Sequence, residues 1–218
     1  MDTHTELDFN NLSHFESAVV LSSIYDVITL ATRCRGYVFG GFVRDVIVPK
    51  SVDPKCPVKF KDVDLWFKDQ DDAEQFVYHM GKGFVKSPVE VTKDAYPGAF
   101  KRTQYYLIKY NTCIAWFDVV VSPYVPVDDF DVNTLAYRRI NDEFVTFGST
   151  ISNNLVNQIK KKRAIMLASY TTKMSQMGCM GKYFTDRFNK LLKQGWTIYS
   201  INDDGDMIKY YGNHIDML

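Results

Sequence analysis

Cysteine is scarce in this 218-residue chain: four occur, at positions 34, 56, 113 and 179, with no Cys-x-x-Cys and no repeated spacing. That argues against a zinc site or a disulfide framework, so a reducing, intracellular and cytoplasmic setting is expected. The four histidines, at 4, 14, 79 and 214, are scattered and make no metal-ligand spacing. No uninterrupted apolar run approaches the ~18 residues of a membrane span. The opening MDTHTELDFN has three acidic residues and no basic one, unlike a secretory leader. No membrane partner is therefore expected. Internal repeats and low-complexity tracts are also lacking. Hydrophobic residues make up 46%, aromatics 15% and charged residues 24%, the balance of a globular protein with ample core material.

The formal net charge of zero hides an uneven distribution. Residues 1–150 hold 16 basic against 21 acidic side chains, whereas 151–200 hold nine basic residues against Asp186 alone. The last 18 residues are acidic again, with four aspartates against Lys209. An acidic body joined to a basic arm can hold a metal in one place and a polyanion in another. The run Lys160, Lys161, Lys162 and Arg163 is the candidate contact to nucleic-acid phosphates, and a solvated helix face is the alternative.

Hydrophobic spacing predicts a helix over 14–33, opened by a Ser13–Glu16 capping box, and a strand at 37–39. A helix over 42–48 is expected to stop at Pro49, with a loop to residue 61. Residues 63–67 read as a strand, 71–80 as a helix begun at an aspartate cap and ended by Gly81-Lys82-Gly83. Residues 105–110 and 113–122 read as a hairpin after a Pro97-Gly98 turn. Helices are expected over 132–139, 155–174 and 185–193, with a Met/Gly-rich junction at 174–181. These elements divide into domains at 1–150 and 151–218, with the boundary near 148–152.

One constellation carries chemistry. The strand 37–39 runs into Gly40-Gly41 and then into a helix, so bare backbone N–H groups could approach an anion closely. Asp62 and Asp64 stand two apart on a strand, which sends both carboxylates to one face. Such a pair repels itself unless a cation lies between, and oxygen donors of this kind suit Mg²⁺. Asp118 is a lone charge in the apolar run 114–121, expensive to bury unpaired. A double glycine, an Asp-x-Asp or a strand aspartate is each commonplace; their order along one chain is far more specific.

Gly40-Gly41-Phe42-Val43-Arg44-Asp45 followed by Asp62-Val63-Asp64-Leu65 resembles the head domain of bacterial-type CCA-adding enzymes and poly(A) polymerases. These belong to the DNA polymerase beta-like nucleotidyltransferase superfamily. Asp129-Phe130-Asp131-Val132-Asn133-Thr134-Leu135-Ala136-Tyr137 is similar to a second segment of that family, and the resemblance covers about residues 14–140. It implies an α/β (α+β) fold: a mixed nucleotidyltransferase-type sheet with helices packed on one side, then a small basic helical, neck-like region with an acidic tail. It implies Mg²⁺ (or Mn²⁺) held by Asp62, Asp64 and Asp118, and a two-metal transfer of a nucleotidyl group from a nucleoside triphosphate such as ATP to a hydroxyl. An RNA 3′ end is the expected acceptor. Gly40, Gly41 and Arg44 would meet the phosphates, Asp45 would orient Arg44 or cap the helix, and Asp129 and Asn133 would lie near the sugar.

Several features depart from the family pattern. Val127-Asp128 stands where two arginines are usual, no arginine closely follows Asp118, and no Glu-Asp-x-x-Arg occurs in the neck-like region. Lys101, Arg102, Arg138 and Arg139 are the candidates to replace the missing positive charge. The loop 46–61 is longer than usual, and the chain ends before the family's body and tail domains would begin. Transfer to a small molecule or a protein, and a catalytically inactive nucleotide-binding or partner subunit, are the competing functions.

Overall fold

The computed structural model describes residues 12–80, 84–88, 101–109, 112–126, 128–148, 154–167, 180–201 and 207–209. Two compact units emerge, one of residues 1–126 and 135–147, the other of 127–134 and 148–218. The segments 81–83, 97–98 and 174–179, expected as turns or a junction, lie outside the described residues.

The first unit begins with helix α1 (His14–Arg33), whose capping box forms as the sequence predicts. The Ser13 hydroxyl accepts the Glu16 N–H at 3.2 Å, and the Glu16 carboxylate accepts the Ser13 N–H at 2.8 Å. Val20, Ile24, Val27, Ile28 and Ala31 recur at helical spacing and are buried. By length and composition this helix is long and apolar enough to cross a membrane. Ser22, Ser23, Asp26 and Thr29 break its apolar run, which is why run length alone missed it. In the fold its apolar side packs on β1 (Tyr37–Phe39) and on α3 (Gln70–His79).

A seven-stranded sheet forms the body of this unit, in the order β3-β4-β5-β2-β1-β6-β7. The further strands are β2 (Val63–Phe67), β3 (Phe84–Pro88), β4 (Lys101–Lys109), β5 (Thr112–Val121), β6 (Leu135–Arg138) and β7 (Glu143–Thr146). Only β2 and β5 pair in parallel; every other neighbour is antiparallel. Alternation along β2 sorts its residues. Val63, Leu65 and Phe67 share one face, where the Phe67 ring lies 5.3 Å from Phe76 of α3. Asp64 and Trp66 take the other, where Trp66 joins Phe39, Val120, Ala136 and Phe147 in an apolar cluster.

Two expectations fail here for local physical reasons. The helix after Gly41 does not stop at Pro49. A wide π-turn spans Val43–Ile47, closed by the Val48 N–H on the Val43 carbonyl, and α2 (Val48–Val52) follows. Pro49 then falls in the first turn of α2, where its missing N–H costs little, and the widened turn accommodates its ring. Residues 132–139 are not a helix either. A 3₁₀ turn (Asp131–Asn133) leads into β6, which pairs Val38 with Tyr137 and Phe39 with Ala136. Leu135, Ala136 and Tyr137 are all buried, and an apolar run of that kind carries no periodicity to separate strand from helix.

The second unit holds α4 (Leu155–Lys160), α5 (Met180–Lys193) and a three-stranded sheet in the order β10-β9-β8. Its strands are β8 (Arg163–Ile165), β9 (Thr197–Ile201) and β10 (Met207–Lys209). The long basic helix expected over 155–174 therefore ends at Lys160. Lys162 takes a left-handed φ of 49°, and its ammonium caps the α5 carboxyl end by donating to the Gln194 carbonyl at 2.8 Å. The chain then extends as β8 beside β9. Phe130 stacks on Phe184 at 5.5 Å and anchors residues 128–134 to α5.

Gly36 has the least room of the described glycines: a Cβ there would lie 2.6 Å from the Phe67 ring and 3.0 Å from the Ala31 carbonyl oxygen. Gly36→Ala is expected to cost about 1–3 kcal/mol by overpacking, read as a lowered midpoint in denaturant unfolding. An unchanged midpoint would show that the ring has room to move.

Candidate functional site

The antiparallel register of β1 and β2 sets Phe39 opposite Asp64, and the chain leaves β1 through Gly40 at a φ of +71°. A Cβ on Gly40 would sit 3.0 Å from an Asp64 carboxylate oxygen. Glycine is required twice over here, for the left-handed backbone and for the close approach of that carboxylate. The parallel register of β2 and β5 then places Asp64 beside Asp118. Registered neighbours on strands ~4.8 Å apart face the same way. Asp62, two residues earlier, leads into the same face of β2.

The three carboxylates differ in surroundings. Asp62 and Asp64 are half-buried, whereas Asp118 is 1% exposed. Both Asp118 oxygens are occupied by β4. Arg102 forms an ion pair with Oδ2, and Gln104 Nε2 donates to Oδ1 at 3.0 Å. The Gln104 carbonyl oxygen accepts from the Tyr106 hydroxyl at 3.0 Å, which fixes the amide orientation. Arg102 was one of four candidates for the charge lacking after Asp118; the fold brings it there from the neighbouring strand.

Among the described residues, no group of three or more His, Cys, Asp or Glu is placed to hold a metal ion. Asp62 and Asp64 do suit one hard divalent cation, which usually takes one or two carboxylates and leaves its other positions to water and phosphate. At Gly40 the Asp64 carboxylate lies close against the bare backbone. Asp118 is not placed as a third ligand in this arrangement: it is 1% exposed, and each of its oxygens already accepts from β4, one from Arg102 and one from Gln104.

Gly41 and Arg44 adjoin this turn. A Cβ on Gly41 would stand 3.8 Å from an Arg44 guanidinium nitrogen. Arg44 is 4% exposed, and its Nε donates to the Asp45 carboxylate at 2.7 Å. The π-turn over these residues orients the pair.

Asp129 and Asn133 fall in the second unit, in a cluster with Asp128 and with Arg187, which the sequence does not announce. Arg187 of α5 forms an ion pair with Asp128 and lies 3.8 Å from Asp129. Asp128 also accepts from the Asn133 amide at 2.8 Å and from the Phe130 N–H at 3.1 Å. Arg187 lies 59 residues from Asp128, a distance at which no local pattern could have announced the pair. Of the basic run, Lys160, Lys161 and Arg163 are exposed, whereas the Lys162 ammonium is committed to the Gln194 carbonyl. A separate cavity of about 460 Å³, lined in part by Ser17, Leu21, Lys50 and Cys56, contains none of these residues.

No protein-family model and no curated protein sequence matches the chain. Among solved structures it is similar to a CCA-adding enzyme in complex with CTP, at 17% identity and a TM-score of 0.43 over 69% of this chain and 36% of that one. The same title with ATP gives 15% identity and a TM-score of 0.42 over 68% and 35%. A tRNA-processing enzyme in an apo form gives 12% and 0.39 over 74% and 38%. The chain thus spans little more than a third of the length of these structures.

Asp131, also missed from sequence, is fully buried, and one of its oxygens accepts the Val132 and Ile165 N–H groups at 2.7 Å each. Its other oxygen, Oδ2, is buried with no hydrogen-bond partner. Burial pushes this carboxyl from 3.8 up to about 6, against the pull of the two backbone N–H groups. Because the folded value is the higher one, the carboxyl is costless below pH ~4. It becomes destabilising as pH rises to about 6, by roughly 3 kcal/mol in full. Asp131→Asn is expected to remove that slope, so that urea unfolding of wild type loses 1–3 kcal/mol relative to the variant between pH 4 and 7. Parallel pH profiles would contradict this.

Proposed function

We propose that the chain transfers a nucleotidyl group from a nucleoside triphosphate to a hydroxyl, with an RNA 3′ end as acceptor. The observation that carries this reading is the register: Asp64 lies beside Asp118 on parallel strands, with Asp62 leading in and the Gly40 turn against Asp64. A double-glycine turn next to half-buried carboxylates suits a triphosphate neutralised by a cation. Asp62 and Asp64 would hold one Mg²⁺ or Mn²⁺ ion. Such an ion polarises the phosphoryl oxygens and eases loss of the acceptor proton.

The protein's own groups do the positioning. Gly40 and Gly41 let the backbone come close to the phosphates, and Asp45 fixes the Arg44 guanidinium. Chemistry of this kind rests on positioning and charge and asks for no Ser, Cys or His nucleophile. The exposed Lys160, Lys161 and Arg163 supply a polyanion contact for the acceptor. One observation favours a nucleotide-binding subunit without catalysis instead. Asp118 is buried, and both its oxygens accept from Arg102 and Gln104.

Incubation with labelled triphosphates, Mg²⁺ or Mn²⁺ and a mixed RNA pool is expected to give label transfer. Asp62→Asn or Asp64→Asn should reduce it by at least ~100-fold, the scale of a lost cation-centred charge stabilisation. Transfer that survives in the double variant would remove the assignment, and nucleotide binding without transfer in wild type would favour the non-catalytic reading.

Replacing Lys160, Lys161 and Arg163 together by Ala is expected to weaken RNA binding. It should flatten the log–log salt dependence by about 2, near 0.7 per lost single-strand phosphate contact. Identical slopes for the variant and wild type would exclude this surface.

A further inference from the structure

We infer that Arg102 is the resident counter-cation of Asp118, holding that carboxylate out of the divalent-ion site so that Asp62 and Asp64 take one ion per chain. The inference rests on the reading of Asp62 and Asp64 as the cation-holding pair, and it adds a residue which that reading does not use.

Strand geometry puts Arg102 in place. Gln104 is the register partner of Asp118, and Arg102 is the partner of Val120, one rung further along the same face. Alternation makes Arg102, Gln104 and Tyr106 point together, and the long guanidinium stem reaches back diagonally to Asp118. Tyr106 orients the Gln104 amide, Gln104 donates to Oδ1, and Arg102 pairs with Oδ2. The carboxylate is 1% exposed, while the arginine side chain remains 21% exposed. A buried carboxylate needs a partner of this kind, and a tethered guanidinium meets the need without a dissociable ion.

Asp64 stands one strand away and is half-buried. A divalent ion moving onto Asp118 would have to break a buried ion pair and lie against the displaced guanidinium, a like charge. Arg102 is therefore a positioning residue that acts through Asp118.

The test is a Mn²⁺ titration of the full chain, following the electron paramagnetic resonance signal of the free ion. Wild type is expected to bind one equivalent, and Asp118→Asn, which keeps the side-chain volume but leaves the Arg102 charge unneutralised, is expected to keep that one equivalent with affinity weakened by no more than about tenfold. Arg102→Met is expected to gain a second equivalent or to bind at least about tenfold tighter, the effect of removing one neighbouring positive charge. Arg102→Lys and the Arg102→Met/Asp118→Asn double variant should show no gain. Loss of binding in Asp118→Asn, or a gain in Arg102→Met that persists without Asp118, overturns the inference. If Arg102→Met does not fold, the Asp118→Asn titration decides alone. Failure of the underlying functional reading is seen separately, as equal Mn²⁺ binding by wild type and Asp64→Asn.

Discussion

The parallel pairing of β2 with β5, in a sheet otherwise antiparallel, brings Asp64 and Asp118 side by side on one face. Like charges on neighbouring strands disfavour the pairing unless each is balanced. Asp118 is balanced from β4 by Arg102 and Gln104, while Asp64 faces the turn at Gly40, where the backbone is bare. The apolar cluster of Phe39, Trp66, Val120, Ala136 and Phe147 lies on the same side of the sheet and keeps these strands in register. A buried Asp118 beside a half-buried Asp64 follows from that single strand contact.

The backbone irregularities of this unit gather around the same point. A left-handed Gly40 ends β1, and a π-turn carries Arg44 and Asp45 before the chain continues through Pro49. π-turns and left-handed residues are kept where the surroundings over-determine them, often next to functional groups. In the second unit, Asp131 joins the 3₁₀ turn to β8 through two backbone N–H groups. It fixes the short segment that carries Asp129 and Asn133 from within.

Elements with strong local signals were legible from sequence. The Ser13–Glu16 box, the alternation of Val63, Leu65 and Phe67, and the order of double glycine, Asp-x-Asp and strand aspartate all depend on near neighbours along the chain. The misreadings fell where partners are remote. Leu135 to Tyr137 is a strand because β1 pairs with it. Arg163 to Ile165 is a strand because β9 pairs with it, after Lys162 breaks the helix with a positive φ. The arginines on Asp118 and Asp128 come from 16 and 59 residues away. The alternation of Arg102, Gln104 and Tyr106 could have placed the first on one strand face, but only the register names its target. Nothing local marks Arg187.

A crystal structure of the chain with Mn²⁺ and a non-hydrolysable nucleoside triphosphate tests the central claim most directly. The account expects an anomalous peak about 2.1–2.2 Å from carboxylate oxygens of Asp62 and Asp64. It also expects the triphosphate against Gly40 and Gly41. A nucleotide and metal bound elsewhere, with Asp62 and Asp64 making no contact to either, would contradict it.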